Sequence, residues 1–190
     1  MIDNDIRAFI EKYADLIEDE NFDKLYEVND GTSHRKVSPS ALTSVLLEAG
    51  INPLNYLTHV PSYAYYGVAK KQRNIVLNFA DYPSVQGIDS NAFGEYGVSE
   101  LVVSNNITYI EVSAFYNCYY LKKVVIQGNP KIDSDAFTSC PIEDLYMPNL
   151  TSKLKFSEKL KHITLRDVGK NTIKDLFQLR ALEKITFLDT

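Results

Sequence analysis

Seven residues, GIDSNAF at 87–93, return in altered form as YIEVSAF at 109–115 and as KIDSDAF at 131–137. The pairs Ala92-Phe93, Ala114-Phe115 and Ala136-Phe137 stand 22 residues apart each time, and Ile88, Ile110 and Ile132 hold the same register ahead of them. Ala64-Tyr65 in VPSYAYYG reads as an earlier, divergent copy. A fixed period of this size marks units that cannot bury an apolar face alone and must stack on their neighbours.

A second phrase follows each anchor, with apolar residues at the first, fourth and sixth positions. It appears as Val98-Leu101-Val103, Leu121-Val124-Ile126, Ile142-Leu145-Met147, Leu160-Ile163-Leu165 and Leu182-Ile185-Phe187, and Ile75 and Leu77 open the series. In an extended strand alternate side chains point to opposite faces, so the last two apolar residues of each phrase share one face. Stacked in parallel, such strands merge their inward residues into one core. The repeated Ile and Phe supply the opposite wall, and Phe156 and Phe177 replace the anchor in the two final copies. Asp89, Asp133 and Ser134 sit where a short helical turn is predicted to start, which gives them a capping role.

The first sixty residues have a different texture. Ile6, Phe9, Ile10, Tyr13, Leu16 and Ile17 recur at helical steps, and a second short helix is predicted over 22–28. SPSALTSVLLEAG carries Ser38 as cap, Pro39 in the first turn and Gly50 just past the end, and NPLNYL reads as one more helical turn. The reading divides the chain into an acidic helical cap region at 1–60 and a repeat array of about five to six coils at 61–190. Charge follows the same division. Residues 1–60 carry 11 acidic and 5 basic side chains, whereas 151–190 carry 9 basic and 5 acidic. Such polarity bears on steering of partners more than on fold.

With both phrases in view, residues 61–190 resemble the BspA-type leucine-rich repeat family. The segment IEVSAFYNCYYLKKVVI at 110–126 carries its Ala-Phe-x-x-Cys anchor and strand phrase, and KIDSDAFTSCPIEDLYM at 131–147 keeps the anchor with a shortened gap. The resemblance implies an α+β chain: a solenoid with short parallel strands, preceded by the small helical cap. It also implies protein binding, with no catalytic residues and no cofactor to carry over. The leader with its LLEAGINPL run is similar to that of repeat proteins encoded in phages.

Catalytic and metal signatures are sparse. His34, His59 and His162 are placed in a loop, a helix end and a strand, and no HExxH or Gly-x-Ser-x-Gly motif occurs. Cys118 and Cys140 fill one slot in adjacent coils; they read as buried thiols, while a disulfide between them would need an oxidising compartment. Lys153, Lys155, Lys159, Lys161, Arg166 and Lys170 form a basic tail, set against a net charge of −5 for the whole chain. That balance and the lack of an aromatic-interleaved basic motif disfavour nucleic acid.

Alternation places a binding face on the outside of the strands. Its predicted rungs are Glu100, Val102 and Ser104; Lys123, Val125 and Gln127; Asp144, Tyr146 and Pro148; His162, Thr164 and Arg166; Lys184 and Thr186. The function expected is non-enzymatic interaction with a protein partner, as a phage-encoded inhibitor of a host or anti-phage defence protein acting in the cytoplasm. The alternatives are a bacterial surface adhesin fragment and a nucleic-acid mimic or binder. No small-molecule substrate, metal or membrane partner is expected. The unpaired edge of the last strand is expected to favour self-association.

Overall fold

The computed structural model describes residues 38–148, 154–166 and 170–188. The helices predicted over 3–20 and 22–28, and the loop carrying His34, lie outside the described residues. Within them the chain winds as a parallel solenoid of about five turns. The entry is helix α1 (Pro39–Glu48), in which the Ser38 side chain accepts a hydrogen bond from the Ala41 amide and Pro39 occupies the first turn, as the sequence grammar requires. Gly50, with φ +82°, takes the left-handed conformation just beyond the helix end. One turn of 3-10 helix at Pro53–Asn55 follows.

Two parallel sheets form the walls. The smaller has strands β1 (His59–Val60), β3 (Gly87–Ile88), β5 (Tyr109–Ile110) and β7 (Lys131–Ile132), in that order. The larger contains β2 (Ile75–Asn78), β4 (Val98–Val103), β6 (Lys123–Ile126), β8 (Asp144–Tyr146), β9 (His162–Leu165) and β10 (Lys184–Phe187) side by side. His59 therefore lies in a strand, not at a helix end. Registration is strict: Leu101, Val124, Leu145, Ile163 and Ile185 succeed one another as direct partners. This file, with Leu77 before it, is the inner wall that the strand phrase predicts.

The anchors form the opposite wall. Rings of Tyr65, Phe93, Phe115 and Phe137 stack at centroid separations of 4.9, 5.2 and 5.4 Å. Near-parallel rings at such distances are offset-stacked, which adds a specific term to the area they bury. Leu42, Leu46, Leu54 and Leu57 of the entry segment belong to the same core cluster. Cys118 and Cys140 are buried free thiols, each donating to a backbone carbonyl of the preceding coil (Phe93 at 3.1 Å, Phe115 at 2.9 Å). Burial pushes the Cys118 thiol well up.

Around each anchor the backbone departs from the predicted short helix. Tyr63, Asn91 and Ser113, two residues before an anchor, and Glu95, Asn117 and Ser139, two after, all have positive φ. These left-handed residues interrupt any helical run and turn alternate amides toward the next coil. Phe93 N–H donates to Ala114 C=O at 2.8 Å, Phe115 to Ala136 at 2.9 Å, and Glu95 to Tyr116 at 2.6 Å. A third ladder of inter-coil hydrogen bonds results, beside the two sheets. Of the three predicted caps, Asp133 does cap, accepting from the Asp135 amide at 2.9 Å. Asp89 instead accepts from the Tyr109 hydroxyl of the next coil at 2.9 Å, and the Ser134 hydroxyl donates to the Asp135 carboxylate at 3.2 Å.

The final coils differ from expectation in two ways. Helix α2 (Lys170–Phe177) occupies the return arm there. A helix turns its successive side chains by about 100°, so Leu176 enters the core and Phe177 points outward, 75% exposed. Phe156 does pack against the core, as predicted. Phe187 pairs with Leu165 in register yet is 55% exposed, because β10 is the outermost strand of the sheet.

Candidate functional site

The outward face of the large sheet consists of two files. The first runs Val76, Glu100, Lys123, Asp144, His162, Lys184; the second runs Asn78, Val102, Val125, Tyr146, Thr164, Thr186. Sequence alternation places the nine central residues, Glu100, Val102, Lys123, Val125, Asp144, Tyr146, His162, Thr164 and Lys184, on this face, and all nine lie there. Val76 and Asn78 extend the files by one rung and were legible from the same alternation around Leu77. Two predicted outer positions do not hold. Ser104 is 5% exposed and its hydroxyl donates to the Asn106 side chain, and Pro148 is likewise buried. Each lies beyond the end of its strand, where the chain turns back over the core and alternation no longer applies.

The two files differ in chemistry. In the first, four polar side chains are partnered across coils: Lys123 Nζ lies 2.7 Å from Glu100 Oε1, and His162 Nδ1 lies 2.6 Å from Asp144 Oδ1. His162 Nε2 faces Glu183 Oε2 at 3.6 Å. Alongside, Glu143 takes Lys161 Nζ at 2.6 Å and Lys122 Nζ at 2.9 Å, and these two hydrogen bonds pull its carboxyl down to about 2. Exposed pairs of this kind add little stability. They do fix long side chains in one arrangement, so the face presents a set charge pattern.

The second file is uncharged. Val102 and Val125 are half-buried and Tyr146 is 37% exposed. A shallow depression of about 100 Å³ opens between the files, lined by Lys123, Val125, Asp144, Tyr146, His162 and Thr164. An aromatic and an apolar stripe thus lie beside a file of partnered polar side chains.

A wider hollow of about 610 Å³ lies over the small sheet, lined by Ser90, Tyr109, Glu111, Val112, Lys131 and Asp133. Its acids are already engaged. Glu111 accepts from the Ser90 amide and hydroxyl at 3.0 and 2.8 Å and Asp133 from the Asp135 amide at 2.9 Å, while Asp89 nearby holds the Tyr109 hydroxyl. Burial raises the Asp89 carboxyl, and burial followed by the Asp89 hydrogen bond raises the Tyr109 phenol. His59 and His162 stand on different sheets and share no site. Size alone does not make this hollow the better candidate.

The fold and the open strand face together define a leucine-rich solenoid with a preformed lateral surface. A family model for the BspA-type leucine-rich repeat region matches in six copies, over residues 35–157 and 86–190, and the chain belongs to that family. Comparison with curated proteins and with solved structures gives no match. Leucine-rich repeats suggest a protein-interaction module, and solenoids of this family are typically non-enzymatic.

Proposed function

We propose that this chain binds a protein partner through the outward face of its large sheet, with the uncharged file as the energetic centre. The observation that carries this reading is the second file: Val102, Val125 and Tyr146 stand in direct register beside the file that holds the Lys123–Glu100 and His162–Asp144 pairs. A rigid ladder loses little conformational freedom on association, so contacts there convert efficiently into affinity. The setting we assign is cytoplasmic, as a phage-encoded inhibitor that occludes a host or anti-phage defence protein. Support for occlusion is the long, shallow, preformed surface.

The test is affinity capture from the soluble fraction of the native host, followed by titration of the captured protein against wild type and a Val125→Ser, Tyr146→Ala variant. The double variant is expected to bind about tenfold more weakly, or about 1.4 kcal/mol. Unchanged affinity overturns the ladder assignment. Recovery of the chain on the cell surface instead of in the soluble fraction favours the adhesin alternative.

A second reading concerns self-association. A groove of about 410 Å³ at the β10 edge is lined by Leu176, Phe177, Leu179, Leu182, Ile185 and Phe187. We propose that two copies meet there, since an exposed apolar strand edge is a template for pairing. Light scattering at high concentration is expected to give twice the chain mass, falling to one chain for Phe187→Lys. A single-chain mass for the wild type overturns it.

A further inference from the structure

The flank that carries the anchor turns bears a cluster that neither the core nor the ladder face uses. Tyr63 and Tyr66 lie with ring centroids 5.7 Å apart. The Tyr66 ring rests directly on Gly94, where a Cβ would come within 2.4 Å of it, so only glycine admits the ring. Lys70, four residues after Tyr66, joins Glu95 of the next coil at 2.5 Å and lies 5.9 Å from the Tyr119 ring centroid. Arg73 lies 5.5 Å from the Tyr120 ring. Residues from three successive coils thus meet in one aromatic and cationic patch.

The patch is open to solvent. Tyr63 and Tyr119 are 49% and 51% exposed, and Lys70, Lys71 and Arg73 are all exposed. Among the described residues Lys71 and Arg73 have no carboxylate partner. Tyrosine and arginine are the residues over-represented at protein-recognition centres, because they offer large contact area and directional donors at small entropic cost. We infer that this flank is a second docking surface, distinct from the ladder face, and that it takes an acidic segment of a protein partner. Two carboxylates of that segment would engage Lys71 and Arg73, the latter through its paired donors. Its remaining side chains would pack on Tyr63 and on the part of the Tyr119 ring that Lys70 leaves exposed.

Single-stranded nucleic acid fits less well. The Glu95 carboxylate sits within the patch and already neutralises Lys70. Lys70 and Arg73 also occupy positions over the Tyr119 and Tyr120 rings where bases would have to stack.

The experiment titrates the full chain with three labelled probes at low and high salt, reading fluorescence anisotropy. The probes are an alternating Glu-Tyr peptide, its Lys-Tyr counterpart and oligothymidylate. The Glu-Tyr peptide is expected to bind best, with affinity falling as salt rises. Lys71→Glu with Arg73→Glu is expected to weaken it about tenfold or more, and Tyr119→Ala several-fold. Tyr146→Ala, on the ladder face, leaves it unchanged, which separates this surface from the one proposed above. All three variants alter exposed side chains, and an unshifted urea midpoint verifies their folding. Equal binding of both peptides, unchanged binding by the double charge variant, or tighter binding of oligothymidylate overturns the inference.

Discussion

Replacing Phe115 by Ala is expected to remove about 3–5 kcal/mol of stability, the range for deleting a fully buried phenylalanine. Phe115 is 0% exposed and stacks on Phe93 at one side and Phe137 at the other. The substitution therefore leaves a gap in the middle of the ring column, and Phe93 cannot move in without breaking its own inter-coil hydrogen bond to Ala114. Phe137→Ala is expected to cost less. Among the described residues that ring has a stacked neighbour on one side alone, and it is already 7% exposed. The measurement is urea unfolding of both variants. In a chain whose stability is a sum of nearest-neighbour interfaces, weakening a central interface also uncouples the two halves. Phe115→Ala should accordingly lower the slope of the transition as well as its midpoint. Equal losses from the two variants, with unchanged slopes, would contradict a column in which central rings matter most.

This asymmetry follows from what was legible in the sequence. The period placed Phe93, Phe115 and Phe137 on one wall and Leu101, Val124, Leu145 and Ile163 on the other, because strict spacing leaves few alternatives for a stacked chain. Two-residue alternation then located the outer files without further information. Both rules hold only while the backbone stays regular. Ser104 and Pro148 escape alternation because the strands end at Val103 and Tyr146. Phe177 escapes the period because α2 substitutes a helical turn for a bent arm, and Leu176, one residue earlier, takes the inward position.

The flank cluster was hidden for a different reason. Tyr66, Lys70, Glu95 and Tyr119 come from three coils, and only superposing those coils brings them together. A scan for basic residues interleaved with aromatics along the chain misses such a patch. In a solenoid, the neighbour of a residue is found one period away as often as one position away. Site searches in such chains are therefore best done on the stacked array.

The same rule exposes the residue expected to matter most among the polar groups, Asn106. Its side-chain Nδ2 donates to the carbonyls of Val85 at 2.6 Å, Tyr82 at 3.2 Å and Phe79 at 3.4 Å, all in the preceding coil. Its Oδ1 is held by the Ser104 hydroxyl. Phe79 and Val85 are 0% exposed, so water has little access to these acceptors once the amide is gone. Asn106→Asp keeps the shape while replacing the donor by a charged acceptor that faces three carbonyls. It is expected to cost about 3 kcal/mol at neutral pH, the sum of lost hydrogen bonds and repulsion between acceptors. Folding would raise the pKa of the introduced acid, since the folded site disfavours its charged form. By linkage the deficit relative to wild type is then full above that raised pKa. It shrinks as pH falls through it toward the unfolded value near 4, because the protonated acid can donate as the amide did. Urea midpoints of both proteins across this range decide the matter. A deficit that stays constant with pH would show that Asn106 fills space at the coil junction without clamping it.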